Sequence, residues 1–139
     1  MLVVTSPLPA LLVNEHRALD ELFGRFLGAA TAGDAAAARE AIAVFDDTLC
    51  RHTALEEERV LHAPSGHKLA PTESEAEQAR LHRELRLEHV QVRELSAMIR
   101  RLLEEKGDLA GANRLAPNLA RRWDAHTTRE ERELFPILR

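Results

Sequence analysis

Two short segments of the chain each place an imidazole and a carboxylate four residues apart. They are His52-Thr-Ala-Leu-Glu56-Glu57 and His126-Thr-Thr-Arg-Glu130-Glu131. Residues four apart lie side by side on one face of a helix. Imidazole nitrogens and carboxylate oxygens together suit transition-metal ions. One such pair is usually a solvated helix pair that contributes only about 0.2–0.5 kcal/mol, so its meaning depends on what the rest of the chain places beside it.

The composition predicts a helical domain that includes all of residues 1–139. Hydrophobic residues make up 45% of the chain and charged residues 30%, with few prolines and glycines. The net charge of −4 argues against nucleic acid as a ligand, because phosphate binding needs a clustered basic face. The sequence predicts no membrane span, since no apolar run reaches the roughly 20 residues required. The lone Cys50 fits a reducing compartment, so we expect a cytoplasmic protein.

Four segments carry apolar residues at spacings of three and four, which predicts four amphipathic helices. The predicted helices span about residues 7–31, 34–61, 73–106 and 108–135. Helix-start signals precede them at Ser6-Pro7, Asp34, Thr72 to Glu75, and Asp108. His62 and His67 lie in or beside the longest connection, about residues 62–71, where we expect them to be solvated. Pro117 predicts a kink or a short break in the fourth helix.

The two halves of the sequence form an internal repeat. Gly33-Asp34, His52 and Glu56 recur at one constant offset as Gly107-Asp108, His126 and Glu130. The segment around His16 matches that around His89 at nearly the same offset. The repeat and the short turns predict an all-α, antiparallel up-down-up-down four-helix bundle built from two repeated helical hairpins.

Histidines and glutamates occupy seam positions where a bundle normally places leucine. If each hairpin is folded at its turn, four histidines and two glutamates reach one level of the core. Burying two glutamates without a cation would cost several kcal/mol, and the same stripes carry no lysine or arginine at that height. A metal cluster would satisfy both the carboxylate charges and the imidazole lone pairs. The candidate ligands are His16, His52, Glu56, His89, His126 and Glu130, with the two carboxylates bridging two ions.

Taken together, four motifs resemble the hemerythrin-like (HHE cation-binding) domain over nearly the whole chain. They are Asn-Glu-His16-Arg-Ala-Leu, His52-x-x-x-Glu56-Glu57, Leu-Glu-His89 and His126-x-x-x-Glu130-Glu131-x-x-Leu-Phe135-Pro136. The resemblance implies a bundle that holds two non-haem iron ions with an oxo or hydroxo bridge. The six candidate ligands carry over as the ligands of that centre. Manganese and zinc also accept this ligand set.

The sequence departs from the oxygen-carrying members of that family at two positions. The resemblance would place a further histidine at position 85, where this chain has Leu85. It would also place an aspartate five residues after His126, whereas the carboxylate in this chain is Glu130, four residues after His126. An open coordination position suits chemistry on oxygen, peroxide or nitric oxide better than storage. The implied function is stress response or sensing through one of these small molecules, and catalase- or peroxidase-like activity stays open.

Other functions remain open from the sequence. They are a metal-responsive module that acts through a protein partner, reversible oxygen binding or iron storage, and a structural bundle with one zinc ion or none. A homodimer is equally open. A ferritin-like di-iron site is disfavoured, because that class needs Glu-x-x-His and the chain contains none.

Several further residues are interpreted from the same helical stripes. His82 lies one heptad before His89, which leaves open whether it is a ligand or a hydrogen-bond partner of one. Cys50 is expected to be a small packing residue, and Trp123 to pack the core beside the metal pocket. Surface positions are predicted for the four carboxylates Glu57, Glu58, Glu131 and Glu133, of which Glu57 could reach an ion if its helix rotates.

Overall fold

The computed structural model describes residues 8–61 and 73–138. They form four α-helices, which are α1 (Leu8–Thr31), α2 (Ala35–Arg59), α3 (Glu73–Lys106) and α4 (Leu109–Arg129). A five-residue π-helix (Glu130–Leu134) and a 3-10 turn (Phe135–Ile137) follow α4. The described residues contain no strand, which confirms the all-α class. None of their helices is long and apolar enough to cross a membrane.

Some sequence predictions concern residues outside this description. They are the start signal at Ser6-Pro7, the contribution of Thr72 to the third start signal, and the connection that contains His62 and His67. The fourth helix was predicted to run to about residue 135, but α4 ends at Arg129 and the π-helix and the 3-10 turn continue the segment to Ile137. The other helix boundaries lie within two residues of those expected.

Glycine and aspartate form both short turns between helices. Gly33 and Gly107 have φ angles of 76° and 57°, the left-handed conformation that glycine adopts without strain. The residue after each glycine caps the next helix through its carboxylate. Asp34 accepts a hydrogen bond from Ala37 N at 3.1 Å, and Asp108 accepts one from Gly111 N at 2.8 Å. These caps satisfy N–H groups that have no partner within the helix.

The apolar stripes of the four helices form two buried clusters. Helix α1 packs against α2 and α4, and α3 packs against the same two helices. The large cluster contains the three buried phenylalanines of α1 and α2 together with Leu19, Leu49, Val92 and Trp123. The small cluster consists of Leu12, Val60, Leu61, Leu85, Leu134 and Phe135. Along the helices, the candidate metal ligands lie between residues of the large cluster and residues of the small cluster.

A kink or a short break was expected at Pro117, and no break is observed. Helix α4 continues from Leu109 to Arg129 with Pro117 inside it. Proline leaves the carbonyl of the residue four positions earlier, Asn113, without its helical partner. Both Pro117 and Asn113 are exposed, so water can solvate that carbonyl and the helix need not break.

A polar network joins α2 to α3 inside the bundle. The buried carboxylate of Asp46 accepts a hydrogen bond from the hydroxyl of Ser96 at 2.7 Å and pairs with Arg100 at 3.0 Å. Arg100 also pairs with the exposed Asp47 and with Glu104. The network fixes the position of α2 along α3, because a buried carboxylate is tolerated only with its partners in place.

Candidate metal centre

All six candidate ligands meet in the interior of the protein. Each of the four helices supplies one histidine, and the two carboxylates come from Glu56 in α2 and from Glu130 at the start of the π-helix. Their exposed fractions lie between 0% and 3%. On α1, His16 is flanked by Leu12 of the small cluster and Leu19 of the large one. The polar site is therefore enclosed by apolar packing along its helices.

The six residues divide into two groups of potential ligands that share both carboxylates. One group is His16, His52, Glu56 and Glu130, and the other is Glu56, His89, His126 and Glu130. Within each group the four ligand atoms lie within 4.8 Å of one another. The histidines are therefore divided two and two, and the carboxylates are common to both groups.

The distances show how each carboxylate reaches both groups. Glu56 Oε1 lies 3.1 Å from His52 Nε2 and 3.0 Å from His89 Nε2. Glu130 Oε1 lies 3.0 Å from His16 Nε2 and 3.2 Å from His126 Nε2. The second oxygen of Glu130 lies 3.5 Å from His89 Nε2. All four histidines thus turn their Nε2 atoms toward the pair of carboxylates.

Charge pairing between the histidines and the carboxylates controls their ionisation. Burial would lower the pKa of His16, but contacts with Glu130 and Glu56 outweigh it and raise the pKa to about 10. The same competition raises the pKa of His89 to about 10. Burial would raise the pKa of Glu56, but contacts with the histidines lower it to about 2. Contacts with the histidines likewise hold the pKa of Glu130 well below its usual value.

Several polar atoms in the centre lack a hydrogen-bond partner within the described part of the chain. They are Nε2 of His16, His52 and His126, Oε2 of Glu56, and both oxygens of Glu130. These atoms are close to one another, but their geometry does not make good hydrogen bonds. Each unsatisfied buried polar group costs about 1–3 kcal/mol, and a cation would satisfy all of them together. Buried His/Glu groups of this composition can hold a metal ion, and the donor types fit transition metals.

Each site histidine bonds a second glutamate through its other ring nitrogen. The Nδ1 atom lies 2.9 Å from Glu131 in His16, 2.5 Å from Glu15 in His52, 2.8 Å from Glu57 in His89, and 2.8 Å from Glu88 in His126. We call Glu15, Glu57, Glu88 and Glu131 the outer glutamates. Their side chains are 26–41% exposed, unlike the buried Glu56 and Glu130. Histidines that bind metals commonly donate their second N–H to a carboxylate in this way.

Two of the outer glutamates are also paired with arginine. Arg93 lies 3.4 Å from Glu57 and donates a hydrogen bond to Thr53 at 3.1 Å. Arg129 lies 2.9 Å from Glu88 and also bonds Glu84 and Glu133. These arginines hold the glutamates from the solvent side, which limits the positions that the carboxylates can adopt.

A hydrogen bond across five residues follows each central carboxylate, at the C-terminal end of α2 and in the π-helix after α4. The carbonyl of Glu56 accepts hydrogen bonds from Val60 N at 2.8 Å and Leu61 N at 2.9 Å. The carbonyl of Glu130 accepts one from the N–H of Phe135, five residues later, within the π-helix. The π-type turns bring Leu61 and Phe135 into the small apolar cluster. The π-helix that begins at Glu130 is of a type that often marks functional sites.

Aromatic rings stand beside the histidines. Trp123 is buried, and the centroid of its ring lies 5.5 Å from His16, 6.3 Å from His52 and 6.0 Å from His126. Its indole N–H donates a hydrogen bond to Asp20 at 2.8 Å. Phe135 stacks on His16 with centroids 5.4 Å apart. The prediction that Trp123 packs in the core and walls the site is confirmed.

Other sequence interpretations need correction or gain detail. His82 belongs to neither ligand group, and Leu85 is fully buried in the small apolar cluster. Cys50 is exposed, so its assignment as a packing residue was wrong. Surface carboxylates were predicted at Glu57 and Glu131, and both are partly exposed, but their bonds to site histidines were missed.

Comparison of the chain with protein-family models, curated proteins and solved structures found no match. The arrangement of the site residues therefore carries the functional inference.

Proposed function

We propose that the chain is a hemerythrin-like, non-haem di-iron protein that binds or reacts with a small molecule such as oxygen, peroxide or nitric oxide. The observation that carries the proposal is the division of the six residues into two four-residue groups that share both Glu56 and Glu130. A site for one ion would need only one such group. Two groups joined by two carboxylates have the composition of a pair of bridged ions.

The contacts around the centre support the antiparallel topology and the repeated hairpins that belong to this proposal. Glu15 of α1 bonds His52 of α2, and Glu88 of α3 bonds His126 of α4. In each hairpin, therefore, a glutamate on the first helix bonds the ligand histidine on the second helix. That glutamate directly precedes the ligand histidine of its own helix. Equivalent contacts in the two halves are what duplicated hairpins would produce.

Iron is proposed because the six ligands match the ordered motifs of the hemerythrin-like domain. When bound, two iron ions would supply reversible one-electron chemistry and affinity for small ligands. The chain's own contribution is to direct four Nε2 atoms and two carboxylates inward. The side chains of the small cluster, including Leu12, Leu85 and Leu134, exclude water on one side of these ligands.

The size of the acceptable ligand follows from the enclosure of the site. All six ligand residues are at most 3% exposed, so a bulky organic substrate cannot reach the ligand atoms without opening the bundle. A surface cavity of about 160 Å³ between α3 and α4 includes His126 and Glu88 in its lining. Diatomic molecules and peroxide fit these dimensions. A role in sensing or in defence against oxidative or nitrosative stress is consistent with such ligands.

The test is metal analysis of protein loaded with ferrous iron, followed by absorption spectra after exposure to air, nitric oxide or peroxide. We expect two irons per chain and a spectrum that changes with at least one of the three molecules. Oxygen evolution from peroxide would identify an enzyme, and a stable adduct without turnover would identify a binding protein. Protein that takes up no iron, or that takes it up equally well after His126→Ala and Glu130→Ala together, would refute the proposal.

A further inference from the structure

The outer glutamates link the four helices in a closed cycle. Glu15 of α1 bonds the histidine of α2, and Glu57 of α2 bonds that of α3. Glu88 of α3 bonds the histidine of α4, and Glu131, just after α4, bonds that of α1. Every one of these hydrogen bonds joins a glutamate to the ligand histidine of the helix that follows in the cycle. Four unrelated surface contacts would have no reason to follow one direction around the bundle.

Each imidazole is held between two carboxylates with different surroundings. Its Nε2 lies 3.0–3.2 Å from a buried oxygen of Glu56 or Glu130, whereas its Nδ1 faces an outer glutamate that is partly in water. A histidine can bind a metal ion through a given nitrogen only when that nitrogen carries no proton. A carboxylate that accepts a hydrogen bond from Nδ1–H keeps the proton on that nitrogen. The outer contact therefore selects Nε2 as the atom that becomes available to an ion.

We propose that Glu15, Glu57, Glu88 and Glu131 are positioning residues that fix the tautomer and the ring orientation of the four ligand histidines. This inference rests on the proposed metal centre and adds a second layer of residues that determines its affinity. Without the outer acceptor, an imidazole can rotate or place its proton on Nε2, and both changes remove a ligand atom. Outer partners of this kind typically change metal affinity by about 10–100-fold.

Glu131 offers the cleanest test, because no arginine pairs with it among the described residues. The comparison is between Glu131→Leu, which removes the acceptor at similar size, and Glu131→Gln, which keeps an acceptor oxygen. Glu58→Leu serves as the control, since Glu58 is an exposed carboxylate on the same turn as Glu57. Zinc is the probe, because it is redox-inactive and accepts the same donor types.

Two quantities are measured on the zinc-loaded chains. Competition with a chromophoric chelator gives the zinc affinity, and nitrogen-15 NMR of the imidazoles gives the tautomer of each histidine. We expect two zinc ions in the unmodified chain, with the proton on Nδ1 of all four histidines. Glu131→Leu should weaken the binding of at least one zinc ion by about 10–100-fold and remove the Nδ1–H signal of His16. Glu131→Gln should retain that signal and most of the affinity, and Glu58→Leu should change neither.

The outcomes separate the two proposals. A chain that binds no zinc overturns the metal centre and its outer glutamates together. A chain that binds two zinc ions with the same affinity and the same tautomers after Glu131→Leu overturns the role of the outer glutamates alone. If Glu131→Leu fails to fold, as circular dichroism would show, Glu15→Leu provides the same test on His52.

Discussion

The carboxylate of Glu130 lies 3.0 Å from Nε2 of His16, although the two residues stand near opposite ends of the chain. Both side chains are buried, and their pKa values shift in opposite directions, upward for the histidine and downward for the glutamate. The pair connects α1 to the segment that follows α4. It also joins the two ligand groups, because Glu130 belongs to both of them.

Metal binding should stabilise the fold. An ion that binds only the folded chain raises the free energy of unfolding by about 2.7 kcal/mol when its concentration is 100 times its dissociation constant. For a chain of this size we expect the thermal midpoint to rise by roughly 5–10 °C. Thermal denaturation followed by circular dichroism, with zinc and with excess chelator, measures the difference. The same midpoint in both conditions would contradict metal binding in the core.

The metal-free protein should have a defined pH optimum of stability. The pKa of Glu56 is lowered from 4.5 to about 2. Its contribution to the free energy of unfolding is therefore complete above pH 4.5 and is lost as the pH falls toward 2. The pKa values of His16 and His89 are raised from 6.5 to about 10. Their contribution to the free energy of unfolding is therefore complete below pH 6.5 and is lost as the pH rises toward 10. We expect the highest stability of the chelated protein between about pH 4.5 and 6.5.

Urea denaturation at several pH values measures this profile. The free energy of unfolding of the chelated protein should fall on both sides of the optimum. The His16→Ala and His89→Ala variants should show a weaker decrease toward high pH. Stability of the unmodified chain that keeps rising between pH 7 and pH 10 would show that these histidines are not held in the charged form.

Two neighbouring aspartates on α2 should differ in their importance for stability. Asp46 is buried and bonds Ser96 and Arg100, whereas Asp47 is exposed and pairs with Arg100 alone. We expect Asp46→Ala to lower the free energy of unfolding by about 1.5–3 kcal/mol, because it leaves the buried hydroxyl of Ser96 without its acceptor and removes a charged partner of Arg100. Asp47→Ala should cost about 1 kcal/mol or less, as exposed ion pairs do. Equal effects in urea denaturation would mean that the buried network does not fix α2 against α3.

The helical stripes and the ligand layer could be predicted because both depend on periodicity. His16, His52, His89 and His126 follow the same spacings as the leucines around them, and the internal repeat showed that their register is shared. The structure brings all four together with Glu56 and Glu130.

The outer glutamates could not be identified from periodicity alone. Glu15 and Glu88 each precede a ligand histidine, while Glu57 and Glu131 each follow a ligand glutamate. These positions fall beside the buried stripe, where a carboxylate is usually solvated, and only the packing of the next helix supplies its histidine. The one available signal was their recurrence in both halves of the chain.

The local backbone also held features that the sequence left open. The π-type turns after Glu56 and Glu130 depend on the packing of Leu61 and Phe135 and have no simple sequence signal. A kink or a short break was expected at Pro117, and α4 runs without a break because water can solvate the carbonyl of the exposed Asn113.

Metal titration of four chains tests most directly whether two ions share Glu56 and Glu130. Isothermal titration with zinc, checked by elemental analysis after desalting, should give two ions in the unmodified chain. The double variant His16→Ala, His52→Ala should keep one ion, because the group of Glu56, His89, His126 and Glu130 remains complete. The double variant Glu56→Ala, Glu130→Ala should bind none, and His82→Ala should bind two. A single ion in the unmodified chain, or two ions after loss of both carboxylates, would contradict the account.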